Sequence, residues 1–364
     1  MALVRAGLWE KDVQLLQYGK IDFNAIYKIA QEQSVVGLLA VGMEHVKDVK
    51  VPQTLALTIA GEVLQLEQRN RGMNEFVAKL IEDLRKDDVY TLLVKGQGVA
   101  QCYERPLWRA CGDVDLLLSD NNYKKAFESL KPLASSVENE RSFTKHQALT
   151  IDGWEVELHG TLRSGLWKRL EHVVDDVQAN VFYGGSVRSW QNGQILVFLP
   201  GVDEDVFFVF SHILKHFFKG GIGLRQICDW CRLLWTYKDS IDSRLLEYRL
   251  ISAGVSLEWK AFAALAVGML GMPADAMPLY DEDEKWKRKA ERILDCIIET
   301  GNFGHNRDVS YQKKNPVVIR KFITIWRQTK DSARHFWIFP LDSIKAWWNI
   351  FVAGVKDAVR GEKI

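Results

Sequence analysis

The sequence predicts an α+β fold in which a small mixed sheet stands between N-terminal and C-terminal helical regions. Three observations carry this. Apolar residues recur every three to four positions through residues 1–88 and again after residue 200, the spacing of buried helix faces. Between these regions, short β-rich runs end at turn residues. Within that middle stretch, Asp152-Gly153 joins two alternating runs, the pattern of a hairpin with a type I′ turn. Strands and helices mixed over so short a stretch form one small layered core. The expected organisation is a helical region over 1–88, an α/β core over 89–200 and a helical domain over 201–364.

Composition narrows the function classes. The chain has 364 residues, 47% hydrophobic and 26% charged, so a well-buried core is expected and disorder is not. Basic residues number 48 against 47 acidic, which leaves no surplus for sequence-independent nucleic-acid binding. Five cysteines are too sparse for a disulfide framework and suit a reducing compartment. The most apolar window, Val206 to Phe218, is interrupted by His212, Lys215 and His216, so no membrane span is expected. Arg5, Glu10, Lys11 and Asp12 stand where a signal peptide would be apolar. A soluble, cytoplasmic protein is the expectation.

Taken in order, Asp22 to Val46 carries one apolar stripe, and Gln53 to Lys86 carries a longer one. Neither contains a phosphate loop or metal spacing. The texture changes at Asp88. Val89 to Val94 reads as a strand ending at Lys95-Gly96-Gln97-Gly98, and Val114 to Leu118 as a second. Asn121 to Leu130 reads as a helix. In the hairpin from His146 to His159, a two-residue loop pairs Thr150 with Glu155, Ala148 with Glu157 and His146 with His159. Glu155, Glu157 and His159 then share one face, with Trp154, Val156 and Leu158 behind them. Gln194 to Leu199 is a further strand. Helices follow at Asp203–Phe218, Leu224–Tyr237, Ser243–Ala253, Ser256–Leu270, Glu282–Glu299, Val317–Thr329 and Leu341–Val359.

The sharpest chemical feature is Gly112-Asp113-Val114-Asp115-Leu116-Leu117-Leu118. Carboxylates at i and i+2 on a strand point the same way, and like charges on one face repel unless cations separate them. Hard oxygen donors at that spacing suit Mg²⁺. An Asp-x-Asp pair also occurs as two exposed aspartates at a strand start, so context decides. A third carboxylate, Glu155 or Glu157, faces a common side on another strand. Three such groups on adjacent strands can hold two divalent ions for phosphoryl transfer. The Lys95-Gly96-Gln97-Gly98 turn, between strand and helix, allows backbone N–H groups to approach phosphates.

These residues resemble a known family. The run Leu93-Val-Lys95-Gly96, Tyr103, Pro106, Arg109, Gly112-Asp113-Val-Asp115-Leu-Leu-Leu is similar to the uncharacterised bacterial nucleotidyltransferases of the DNA polymerase beta superfamily. So are Glu157-Leu158-His159, Leu224 to Trp230 and the lead-in Gln33-Ser-Val-Val-Gly37. The resemblance implies a nucleotidyltransferase core of mixed sheet and flanking helices, with a helical partner domain. It implies a catalytic and metal-binding set of Asp113, Asp115 and Glu157, with Glu157 preferred over Glu155. Lys95, Gly96 and Arg109 would meet the triphosphate. Mg²⁺, or Mn²⁺, would be the cofactor and an NTP the donor. The wider superfamily carries Gly-Ser or Gly-Gly at a shorter distance before Asp-x-Asp, so the resemblance implies that Lys95, Arg109 and backbone N–H groups would have to supply the missing serine's contact.

The expected reaction moves a nucleoside monophosphate from an NTP to an acceptor with release of pyrophosphate. The acceptor is a small molecule, a protein or an RNA end. An Asp-x-Asp glycosyltransferase and a non-catalytic nucleotide-binding module are the alternatives; the first leaves Glu157 without a metal role. His212 and His216, one turn apart, read as histidines facing the cleft rather than zinc ligands. Arg225 and Asp229 read as a helix pair or as cleft support. The acceptor cleft is expected between the carboxylates and the helices that carry these four residues. Cys228 and Cys231 read as core. The aromatic tail from Phe336 to Phe351 is expected to pack against the chain itself or a second subunit.

Overall fold

A computed structural model describes residues 1–138, 140, 145–302 and 317–360. The chain opens with α1 (Ala2–Trp9) and α2 (Phe23–Glu32), the latter capped by Asp22, whose side chain accepts from Ala25 N at 3.0 Å. The stripe predicted as one segment from Asp22 to Val46 is divided. Ser34, at φ +55°, breaks it, and α3 (Val36–Glu44) begins beyond. α1 and α3 meet backbone to backbone at Gly7 and Gly42. A β-carbon on Gly7 would lie 2.0 Å from Leu38 O, and one on Gly42 would lie 2.0 Å from Leu3 O. α4 (Gln53–Lys86) has the predicted bounds. Its first half buries Leu55, Ile59 and Val63 with α1–α3; its second half buries Met73, Phe76, Val77, Leu80, Ile81 and Leu84 against the sheet.

The middle of the chain runs β1 (Leu92–Val94), α5 (Gly96–Ala100), β2 (Val114–Leu117), α6 (Asp120–Leu130), β3 (Ser136–Val137), β4 (His146–Ile151) and β5 (Trp154–His159). The five strands lie in the order β1-β2-β5-β4-β3, with β2 and β5 parallel and the other pairs antiparallel. Asp152 and Gly153, at φ +51° and +80°, occupy the two left-handed positions of a type I′ turn. The hairpin register is the predicted one throughout. α7 (Lys168–Tyr183), β6 (Val187–Asn192) and β7 (Ile195–Pro200) follow, with β6 and β7 forming a separate two-stranded sheet beside β1. α7 and β6 lie in a stretch for which the sequence reading predicts no element.

Side-chain alternation divides the sheet between two cores. Val114, Leu116, Val156 and Leu158 point to α4 and α6, whereas Leu92, Val94 and Leu117 point to the larger helical core. That core is built on α8 (Val202–Lys219), α9 (Leu224–Thr236), α10 (Ser243–Ala253), α11 (Ser256–Gly268) and α12 (Glu284–Thr300). Its centre is aromatic: the Trp259 ring lies 4.8 Å from Phe210 and 4.9 Å from Trp230. α8 is held at its N-terminus by ion pairs of Glu204 with Arg249, at 2.6 Å, and of Asp205 with Arg188.

Two further helices, α13 (Val317–Phe336) and α14 (Pro340–Arg360), end the described chain. Between them, Ile338 and Phe339 enter the core. Leu341, Ile344, Trp348 and Phe351, which share one face of α14, are exposed. No helix among the described residues is long and apolar enough to cross a membrane.

Candidate active site

The site is built on the central strands β2 and β5 of the sheet. β2 sends Val114 and Leu116 one way and therefore Asp113 and Asp115 the other. In the parallel pair, Glu157 stands directly opposite Asp115. Carboxylate oxygens of Asp113, Asp115 and Glu157 accordingly lie within 4.8 Å of one another. Glu155, its competitor by facing, is exposed on the outer part of β5 and lies outside this cluster.

Positive groups surround the three acids. Lys95 ends β1 at φ +59°, a left-handed conformation that a lysine adopts only under constraint from its surroundings. Its Nζ lies 2.6 Å from Asp115 Oδ1. His159 Nε2 lies 2.7 Å from the same oxygen and 3.3 Å from Glu157 Oε2. His146, opposite His159 in the hairpin, brings its Nε2 to 2.9 Å from Glu157 Oε2. Hairpin register sets His146 beside His159 without assigning it chemistry, and that cross-strand pairing is the signal in the sequence that points to it.

These contacts sort the acids by charge. Asp113 is pushed up to about 6, first by the charge of Asp115 and then by burial. Burial also pushes Asp115, which is 2% exposed, upward, but Lys95 and His159 outweigh it and the carboxyl sits below its usual range. Glu157 behaves likewise: burial raises it, and the contacts from His146 and His159 bring it well below. Burial opposes the charge on Lys95 and His159, yet the carboxylates prevail and hold both pKa values up. Asp113 is thus the acid with the least compensation.

α8 presents His212, Lys215, His216 and Lys219 along one half-buried strip, at spacings of three and four. Burial, with the charges of Lys95 and Lys219, lowers Lys215 to about 8. Burial, Lys215 and Lys95 lower His216 to about 3, and burial with Lys95 holds His212 far below its usual value. Both imidazoles are neutral, and their Nε2 atoms lie 3.0 Å apart. Lys215 is raised in turn by the charges of Glu157 and Asp115, so the strip borders the acidic cluster.

Arg109, expected at the triphosphate, is committed elsewhere. Its guanidinium makes a two-point contact with Asp229, at 3.0 and 2.6 Å, and Tyr103 donates to the same carboxylate at 2.8 Å. Asp229 is therefore buried under the loop and spent on Arg109 and Tyr103. α9 grips this loop along its length. Arg225 donates to Ala110 O at 2.6 Å, and Arg232 donates to Cys102 O at 2.7 Å. From the other side, Asn70 in the middle of α4 donates to Leu107 O and Arg109 O, at 2.8 and 2.7 Å. The segment leading into Asp113 is clamped between two helices. Cys228 and Cys231 are buried in α9, where burial pushes both thiols up. Gln33, in the family-like lead-in, accepts from Leu224 N at 2.9 Å and donates to Ile297 O at 3.1 Å, tying the lead-in to α9 and α12.

Neither a curated protein nor a solved structure matches the chain. One family model does, that of an uncharacterised nucleotidyltransferase, and it spans residues 19–271, from the lead-in through the carboxylate strands to just past α11. Over half of the chain is covered, with every residue of the acidic cluster inside the match: the chain belongs to this uncharacterised nucleotidyltransferase family and is a nucleotidyltransferase.

Proposed function

We propose that the enzyme transfers a nucleoside monophosphate from an NTP to an acceptor, with pyrophosphate leaving. The observation that carries this reading is the convergence of Asp113, Asp115 and Glu157 from the parallel strands β2 and β5. The donor set fits divalent cations: three hard oxygen ligands, one of them an aspartate whose own neighbour disfavours its ionisation. Mg²⁺ held there would offset phosphate charge and acidify the acceptor group.

The chain's own residues position the reactants. Lys95 keeps its proton beside the acids and is assigned to the donor's phosphates, with Gly96 in the same turn letting the backbone approach them. Lys215 faces it from α8 and adds a second positive group. Glu157, held ionised, favours deprotonation of the acceptor. Arg109 and Asp229 are assigned to holding the loop that presents Asp113. The acceptor is assigned to the space between the acids and the His212–His216 strip, whose imidazoles carry no charge to compete for the metal-bound phosphates.

The test is NTP turnover and Mg²⁺-dependent NTP binding in the Asp113→Asn/Asp115→Asn double variant, checked for folding by circular dichroism. Loss of both is expected; full activity in the folded variant overturns the metal assignment. Incubation with α-labelled NTPs and cell extract, followed by identification of the labelled product, names the acceptor class.

A further inference from the structure

Glu157 takes part in a second cluster with different donor chemistry. Its Oε2 lies 2.9 Å from His146 Nε2 and 3.3 Å from His159 Nε2, and one donor atom from each residue falls within a 4.8 Å group. The backbone dictates this meeting. Antiparallel pairing sets His146 directly opposite His159, while Glu157, two residues before His159 on β5, shares its face. The imidazole rings lie 4.9 Å apart between centroids, close enough for both nitrogens to reach one point.

We propose that His146, His159 and Glu157 form a binding site for a borderline divalent cation of the Mn²⁺, Co²⁺ and Zn²⁺ class. Donors about 2.1 Å from one tetrahedral ion stand about 3.4 Å from each other. The two nitrogen–oxygen separations lie just below that spacing, so an ion would enter with the donors moving slightly apart. Two nitrogens and one carboxylate oxygen favour these metals over Mg²⁺, which prefers an all-oxygen shell. Three protein ligands also leave a coordination position open to substrate or water, the arrangement of a reactive rather than a structural site. The proposal rests on the nucleotidyltransferase reading in one respect only. Glu157 is common to both clusters, so an ion on the histidines would lie beside the phosphate-transfer site. The competing account is that the imidazoles serve the carboxylates purely as hydrogen-bonding neighbours, with His159 nearer to Asp115, at 2.7 Å, than to Glu157.

The experiment is titration of the full-length, nucleotide-free protein with Co²⁺, followed by its visible ligand-field absorption. Wild-type protein is expected to bind Co²⁺ more tightly than Mg²⁺. His146→Gln and His159→Gln are each expected to weaken Co²⁺ binding by roughly ten- to a hundredfold, and by more than they weaken Mg²⁺ binding. Asp113→Asn is expected to keep the Co²⁺ spectrum, so loss of turnover in that variant tests the phosphate-transfer reading separately. Pulsed EPR of Mn²⁺ on the wild-type protein reads imidazole nitrogen coupling directly and needs no variant to fold. Absence of nitrogen coupling, or unchanged Co²⁺ affinity in both histidine variants, overturns the site.

Discussion

Arg109 and Asp229 are 120 residues apart in sequence and joined at two points in space, Nε to Oδ1 at 3.0 Å and Nη2 to Oδ2 at 2.6 Å. Both side chains are 7% exposed. The pair fastens the loop before β2 to α9, so the position of Asp113 depends on a residue far along the chain. Removing one partner of a buried pair strands the other charge. Asp229→Ala is therefore expected to cost roughly 3–5 kcal/mol in urea unfolding. A loss below about 1 kcal/mol, the range of exposed pairs, would show that the fork carries little of the loop's stability.

Asp113 makes the metal-free protein pH-sensitive. Its carboxyl titrates near about 6 folded and near ~3.9 unfolded. Between these values the folded state holds the extra proton, so stability falls as pH rises through that window. Asp113→Asn should be more stable than wild type by about 1–3 kcal/mol at pH 8 without divalent ions, and the gap should close below pH ~4. Adding Mg²⁺ should stabilise the wild type and narrow the difference. Thermal melts across pH would refute this if the variant showed no advantage at pH 8.

Lys215 should report the arrival of phosphate. Its ammonium titrates near about 8 because burial and the charges of Lys95 and Lys219 disfavour it. A triphosphate in the cleft would restore the proton. Calorimetry of NTP binding at pH 8, in buffers of different ionisation enthalpy, should show uptake of about half a proton. Lys215→Met should abolish that uptake. Equal uptake in the variant would place the titrating group elsewhere.

The crossing of α1 and α3 tolerates no side chain at its centre. Gly42→Ala puts a methyl group against Leu3 O and should cost about 1–3 kcal/mol or more. Gly61, exposed in α4 with open space around it, is the control. Gly61→Ala should stabilise by about 0.5–1 kcal/mol, because alanine suits a helix interior better than glycine. Chemical denaturation of both variants compares them directly; the argument fails if Gly42→Ala is neutral.

Local chemistry made much of the site readable. The Asp152-Gly153 turn specifies hairpin register, and register alone places Glu157, His159 and His146 on one face. The alternation of Asp113 and Asp115 follows from strand geometry in the same way. Neither the choice between Glu155 and Glu157 nor the parallel partnership of β5 with β2 follows from local rules. Parallel pairing joins strands distant in sequence, and only that pairing sets Glu157 opposite Asp115. Arg109 illustrates the same limit: its side chain suits a phosphate until a carboxylate 120 positions away claims it. α7 differs, because Leu170, Val173, Val174, Val177 and Val181 carry a helical spacing that periodicity could have found.

α4 carries a consequence for how the molecule holds together. Its first turns are embedded among the N-terminal helices, its middle residues Arg69 and Asn70 hold the carbonyls of the loop before Asp113, and its last turns form the floor beneath β1, β2 and β5. The helical lead-in is thus no detachable preface. Chain beginning after Lys86 would leave Leu93, Val114, Leu116, Val156 and Leu158 facing water and the Asp113 loop gripped from one side alone. Hydrogen exchange at the amides of β2 and at those of the second half of α4 should consequently share one opening event, because both elements rest in the same core.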